Sequence, residues 1–232
     1  MQIRIVVVEI TGEINLGSIC RLMKNFGFDE LYLVNPHLDL DKLSTAYGFA
    51  MHAKELLKDV KVVTSLDEAC ANVDTIIGTT AIVASAISNP LRVPIPPEEL
   101  ENMIDLSGKT AIIFGREGTG LTNEELNNCD VVVTIPSDSE YPTLNIAQAA
   151  AIILYSIFRL KKGRNHARFR AASQIEKDKL FEYFSRLLEK IGFMETKRPI
   201  AERIFRNIIG RAFVSGRECH TLLGVFRKLI SL

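Results

Sequence analysis

Three short stretches of the chain carry residue types that a binding or reacting site needs. The first is Thr11-Gly-Glu-Ile-Asn15-Leu-Gly17-Ser-Ile-Cys-Arg21. Asn15 can cap a helix that starts there, Gly17 permits close backbone approach, and Arg21 falls six residues after Asn15, on the side of the early turns. A solvated surface arginine and a simple cap would look the same. The second stretch is Ile113-Phe114-Gly115-Arg116-Glu117-Gly118-Thr119-Gly120-Leu121. Three glycines in six residues let the backbone turn tightly and offer its amides and carbonyls to a ligand. Arg116 and Glu117 in that loop suit an ion pair at an interface or a contact to an acceptor. The third begins at Ile135-Pro136 and continues as Tyr141-Pro142-Thr143-Leu144-Asn145-Ile146-Ala147-Gln148-Ala149-Ala150, where the alanines allow close helix packing.

Other chemistries are excluded by what is missing. No Gly-x-Gly-x-x-Gly follows the first strand-like run and no Gly-x-x-x-x-Gly-Lys-Ser/Thr occurs, which argues against dinucleotide dehydrogenases and P-loop NTPases. The histidines, at positions 37, 52, 166 and 220, form no His-x-x-x-His pair and none lies in the three stretches. Cys20, Cys70, Cys129 and Cys219 are far apart, with no Cys-x-x-Cys. Reduced, mostly buried thiols and no bound metal are expected; a disulfide between distant cysteines is left open.

The elements that must position these stretches alternate. Nearly continuous aliphatic runs predict strands over Ile3 to Ile10, Glu30 to Asn35, Lys61 to Thr64, Thr75 to Thr79, Lys109 to Phe114 and Val131 to Ile135, buried on both faces of a parallel sheet. Helical spacing covers Asn15 to Phe26, Ala46 to Lys58, Leu66 to Ala71, Pro97 to Met103 and Asn123 to Asn127, with Thr122 and Glu125 in capping-box spacing. The fold class is therefore α/β, with the three stretches at strand ends, where open parallel sheets bind ligands. Residues 161–173 are basic and read as a linker, and residues 174–232 as a small all-α extension with helices over Ile175 to Ile191, Ile200 to Ala212 and Leu222 to Ser231.

Charge is divided along the chain. The 28 Lys and Arg balance the 28 Asp and Glu, but 17 of the basic and only 7 of the acidic residues lie from Lys161 onward. A basic appendage on an acidic body suits a polyanion such as nucleic acid, with Arg164, Arg168 and Arg170 as candidate contacts. Neutralising an acidic neighbour is the alternative. No apolar run is long enough to cross a membrane and no signal peptide is evident, so a cytoplasmic protein is expected.

Taken in order, Asn15…Gly17…Arg21, Phe114-Gly115-Arg116-Glu117…Gly120-Leu121 and Ile135-Pro136…Leu144-Asn145-Ile146-Ala147 resemble the three motifs of the SpoU branch of the SPOUT methyltransferases over residues 1–160. Glu140 to Asn145, Leu121 to Leu126 and the helical tail are similar to the TrmJ group of tRNA ribose methyltransferases, with Thr143 where that group commonly has serine. The resemblance implies a C-terminal trefoil knot in the methyltransferase domain, a homodimer with active sites near the subunit interface, and bound S-adenosylmethionine. It places the cofactor against Thr79, Thr80, Ala81, Gly115, Ile135, Pro142, Thr143, Leu144 and Asn145. Arg21 and Asn15 are its catalytic pair, with Asn15 touching the acceptor or holding Arg21. A guanidinium with a pKa above about 12 is a poor base at neutral pH, so Arg21 is expected to orient the ribose and steady developing negative charge. The implied activity is 2′-O-methylation of tRNA at anticodon-loop position 32. A non-catalytic RNA-binding knotted dimer, and methylation of rRNA or of a base nitrogen, stay open as alternatives.

Overall fold

A strand covered on both faces favours aliphatic side chains, and the runs follow that rule except where a polar group finds partners: Arg4, 4% exposed in the first strand, donates to the Ala69 and Ala71 carbonyls and to Glu30. The computed structural model describes residues 2–81, 94–100, 108–163, 170–212 and 214–232. In it β1 (Gln2–Val8), β2 (Glu30–Val34), β3 (Lys61–Val63), β4 (Thr75–Thr79), β5 (Lys109–Phe114) and β6 (Val131–Val133) form one sheet in the order β3-β2-β1-β5-β4-β6. All five pairings are parallel, with Val6 opposite Tyr32 on one side and Ile113 on the other. The expected strands are all present, with ends displaced by no more than two residues.

Helices follow as α1 (Glu13–Phe26), α2 (Ser44–Ala50), α3 (Lys54–Lys58), α4 (Leu66–Ala69), α5 (Asn123–Asn127), α6 (Ile146–Gly163), α7 (Gln174–Lys190), α8 (Arg198–Arg211) and α9 (Gly216–Ile230). Leu16, Ile19 and Met23 of α1 and Ile153, Leu154 and Ile157 of α6 pack with Ile5 and Val7 on one face of the sheet. Val6 and Val8 point the other way, onto Ala69 of α4 and Leu126 of α5. This is the period-two alternation of a strand with a core on each side.

Local expectations change at α1 and α2. Helix α1 starts at Glu13 behind Gly12, which supplies no side-chain cap, so Asn15 lies inside the first turn and its amide is free for other partners. The continuous helix expected over Ala46 to Lys58 is broken after Ala50 by a 3-10 turn, Met51–Ala53, because Met51 takes φ 53° and ψ −111°. Gly17 behaves as read: a Cβ there would stand 2.3 Å from the Ala46 carbonyl oxygen, so α1 and α2 touch through backbone.

Beyond the sheet, α6 runs through to Gly163, three residues into the stretch read as a linker. Helix α9 begins at Gly216 rather than Leu222, because Ser215 and Glu218 form a capping box. Leu180, Ile209, Cys219 and Leu223 make a separate small core with Phe181, Phe205 and Phe226. All four cysteines are free thiols, and burial raises the Cys20 and Cys70 pKa to about 12. Among the described residues no helix is long and apolar enough to cross a membrane. Of the helix expected over Pro97 to Met103, Pro97–Glu99 is a 3-10 turn and Leu100 is α-helical; residues 101–103 lie outside the described residues.

Candidate active site

Chain order reverses between β1 and β5: β2 and β3 lie on one side of β1, and β4, β5 and β6 on the other. At such a switch point the loops leaving adjacent strand ends part and open a crevice. The first and second stretches leave β1 and β5 at that point.

The glycine loop after β5 is closed by its own backbone. Arg116 and Gly120 exchange hydrogen bonds, 3.2 Å from the Arg116 amide and 3.0 Å from the Gly120 amide. A Cβ at Gly115 would lie 2.3 Å from the Gly120 carbonyl carbon, so no other residue fits that approach. The Arg116 guanidinium is held from two sides. It donates to Glu9 at 2.8 and 2.6 Å and to Glu125 at 2.9 and 3.0 Å. The hydrogen bond from Arg116 holds the Glu9 carboxyl below its usual range. Burial works to raise the Glu125 pKa, but bonds from Arg116 and Thr122 outweigh it. Arg116 thus braces the loop within its own chain instead of reaching outward.

Glu117, next in sequence, is the hub of a second network. Its carboxylate accepts from the Thr11 hydroxyl, from the Thr11 amide at 3.2 Å and from the Asn15 side-chain amide. The Asn15 oxygen accepts from the Asn145 side-chain amide at 3.1 Å, and the Asn145 oxygen accepts from the Ala147 amide at 2.8 Å. One hydrogen-bonded chain therefore joins all three stretches. Burial pushes the Glu117 pKa up, yet the bonds from Thr11, Asn15 and the Thr11 and Gly12 amides hold it below the ordinary carboxylate value.

Beside this chain opens a cavity of about 170 Å³. Thr79, Thr80, Ala81, Gly115, Ile135, Pro142, Thr143 and Leu144 line it, with Arg116 and Glu117 at its border. Asn145, expected to touch the cofactor, is outside the lining and is bonded to Asn15. Phe114, Leu121 and Ile146 of the motifs supply apolar wall, together with Val133 and Ile153, which the motifs did not include. Thr11 opens the first stretch but was given no role there, Glu125 was read only as a helix cap with Thr122, and Glu9 was missed.

Arg21 is not brought into this cavity. It is exposed, and among the described residues it makes no hydrogen bond or ion pair. Six residues beyond Asn15 place it about 9 Å along α1 and roughly 240° around its axis. Asn15 therefore does not hold it. Ile14, Ser18, Arg21 and Asn25 share one stripe of α1, and Ile152, Tyr155 and Arg159 share an exposed stripe of α6. The Phe26 and Tyr155 rings meet at 6.0 Å, which sets these helices side by side. Of the basic residues read as RNA contacts, Arg164 and Arg168 lie outside the described residues, and Arg170 is engaged by Glu176 at 2.7 and 3.0 Å.

Known proteins are similar to this chain in sequence and in fold. Over its whole length the chain is similar to the tRNA (cytidine-2'-O-)-methyltransferase TrmJ of Methanocaldococcus jannaschii, 37% identical over 232 residues that cover 98% of this chain and 99% of the relative. It is 32% identical to the tRNA (cytidine/uridine-2'-O-)-methyltransferase TrmJ of Pectobacterium atrosepticum, over 99% of this chain and 95% of the relative. The crystal structure of TrmJ from Z. mobilis ZM4 superposes with a TM-score of 0.69 at 25% identity, covering 99% of each chain. Residues 2–155, which hold the sheet, the bonded chain of motifs and the cavity, match the model of the SpoU rRNA Methylase family, and to that family this chain belongs.

Proposed function

We propose that this protein is a tRNA ribose 2′-O-methyltransferase that draws its methyl group from S-adenosylmethionine and acts in the anticodon loop, at position 32. The observation that carries the reading is the hydrogen-bonded chain Thr11–Glu117–Asn15–Asn145, which ties the three motifs together at the border of the cavity.

The cavity suits the donor. An adenosine and an amino-acid chain need backbone hydrogen-bonding groups and aliphatic walls, and the loops at Thr79–Ala81, Gly115 and Pro142–Leu144 offer the first while Ile135, Leu144, Ile146 and Ile153 offer the second. When bound, S-adenosylmethionine supplies an electrophilic methyl on a sulfonium. The chain's own residues do the rest by position. Glu117, ionised and fixed by its donors, aligns Asn15 and Asn145 along the rim. Arg21 turns the acceptor ribose and its neighbouring phosphate and steadies charge growing on the 2′-oxygen. The hydroxyl proton leaves to a phosphate oxygen or to water.

Arg21 lies outside its own chain's cavity, so the site is completed by a second copy. The shared face of α1 and α6, with Ile14 51%, Ile152 38% and Tyr155 51% exposed beside Arg21, is the apolar surface that a homodimer would bury. The trefoil knot of the domain follows the family, and the α6 segment that leaves Asn145 is its last element. tRNA docks on the C-terminal helices. Lys179, Arg186 and Lys190 align on one exposed side of α7, where Arg186 also pairs with the exposed Glu182 at 2.6 Å, and Tyr183 sits between Arg186 and Arg227, 5.5 and 5.2 Å from its ring centre. Such a basic ridge with an aromatic suits phosphates and an unstacked base.

Incubating the chain with labelled S-adenosylmethionine and total tRNA, then digesting and weighing the nucleosides, tests the reading. A 2′-O-methylated nucleoside from the anticodon loop is expected. A methylated base, transfer only to rRNA, or donor binding without transfer would each replace it.

A further inference from the structure

Arg203 is a charged residue that the reaction does not use, yet it is 7% exposed. It belongs to α8, but its guanidinium is turned toward the sheet domain. It donates to the carbonyls of Asn127 at 2.5 Å, Leu126 at 3.0 Å and Cys129 at 3.5 Å. Leu126 and Asn127 are the last residues of α5, the end where carbonyls lack partners in the helix and the helix has its negative pole, and Cys129 follows two residues on. The joint is close: a Cβ at Gly210 would stand 2.2 Å from the Asp130 carbonyl oxygen, so α8 lies directly on the chain entering β6.

Helix α5 is five residues long, about 7.5 Å, too short to hold its shape alone. It is gripped at both ends. At the start, Thr122 and Glu125 cap each other, and the same Glu125 carboxylate receives Arg116 at 2.9 and 3.0 Å. Arg116 in turn opens the turn to Gly120 that borders the cavity. A short strut thus runs from the C-terminal helices to the glycine loop, with a guanidinium at each end.

We propose that Arg203 is a positioning residue for the glycine loop: by fastening the end of α5 it fixes Glu125, and through Glu125 the Arg116–Gly120 turn, in the form that receives the methyl donor. The proposal rests on the reading that this cavity takes S-adenosylmethionine. A lysine has one small head and cannot fork across three carbonyls, so charge alone is not enough.

Full-length Arg203→Met, Arg203→Lys, Glu125→Gln and the Met/Gln double variant test it, with three readouts: ligand-free hydrogen exchange of amides 116–121, calorimetric affinity for S-adenosylhomocysteine, and tRNA affinity. Arg203→Met is expected to speed loop exchange and weaken S-adenosylhomocysteine by about 5- to 20-fold, with β1 exchange and tRNA affinity within about twofold of the parent. Arg203→Lys should fall between. The double variant should bind S-adenosylhomocysteine no worse than the weaker single variant, since both cut one path. Unchanged loop exchange in Arg203→Met, or full additivity in the double variant, would overturn the proposal. If Arg203→Met does not fold, Arg203→Lys takes its place in the cycle under the same criteria. A parent that exchanges as expected but binds no S-adenosylhomocysteine would sink the donor reading alone, because the exchange arm needs no ligand.

Discussion

Glu117 shows how one side chain can fix a site assembled from distant segments. Its carboxylate accepts from Thr11 and Asn15, more than a hundred positions earlier. Glu117→Gln keeps the shape but turns one accepting oxygen into an NH2 facing donors. Methyl transfer to tRNA should fall at least about tenfold and stability by about 1 kcal/mol, read by nucleoside analysis and denaturant melts. The pH sign follows from the lowered pKa. The carboxylate's contribution is complete above the unfolded value of about 4.3 and fades as pH drops through the folded value, so the stability gap between parent and Glu117→Gln should close in acid. Met51 makes the opposite case. Its φ of 53° with ψ −111° is a backbone region that suits glycine, and its side chain is half exposed. Relief of about 1–3 kcal/mol of strain exceeds the extra unfolded-state freedom of glycine, so Met51→Gly should stabilise by about 1 kcal/mol and raise Tm. The residue types of the site were legible in the sequence, but their partners were not. Asn15 looked like a cap because local spacing favours that role; nothing local says that a carboxylate 102 positions on will claim its amide.

Elements were legible where one local rule decided them. Aliphatic runs gave all six strands, and Thr122 with Glu125 gave the start of α5. The break at Met51 was hidden because Ala46, Ala50, Ala53 and Leu57 keep a helical period straight through it, and all four are buried. The start of α9 was hidden for a different reason. Gly216 suggests a stop, but it is the first helical residue behind Ser215, whose hydroxyl accepts from the Glu218 amide at 3.2 Å. Ser215→Ala should therefore cost about 1 kcal/mol and fray α9 first, seen as faster exchange of its leading amides. The matching box at α7 carries a pH signature. Glu176 is pulled down to about 2 by the hydrogen bond from Arg170, with help from the Ser173 amide and hydroxyl against a burial cost. A carboxylate lowered in this way stabilises the helix above its unfolded pKa and loses that effect between about pH 4.3 and 2. Melts of Glu176→Gln should lie below the parent at pH 7 and converge with it near pH 2.

At the scale of the whole molecule, the periodicity of the sequence stops short of two parts of the proposed reading: a knotted crossing of the loops, and a second copy of the chain serving each cavity. Both depend on contacts between surfaces rather than on the local pattern. The charge split was legible, and the structure refines it, since Lys177 and Arg203 are buried at the joint with the sheet domain and cannot meet a polyanion. Truncating the chain after Gly163 would therefore strip the end of α5 as well as remove the proposed RNA contacts, which makes reversal of exposed Arg186 and Arg227 the cleaner test of docking. The question of copies has a decisive form. If Arg21 served its own chain's cavity, an Arg21→Ala chain and a Glu117→Gln chain would stay as weak in any mixture as they are alone, since every site would carry one defect. If it serves the partner's cavity, a mixed dimer has one site with both defects and one with neither. Random pairing makes half the dimers mixed, so co-refolding two weak variants should recover about a quarter of the parental rate. Ile152→Glu or Tyr155→Glu in both chains, placing a carboxylate on the shared face of α1 and α6, should abolish that recovery and shift the protein to the monomer mass in light scattering. Recovery that survived the loss of the dimer would mean that Arg21 reaches its own cavity by a movement of α1, and the surface around Tyr155 would need another partner.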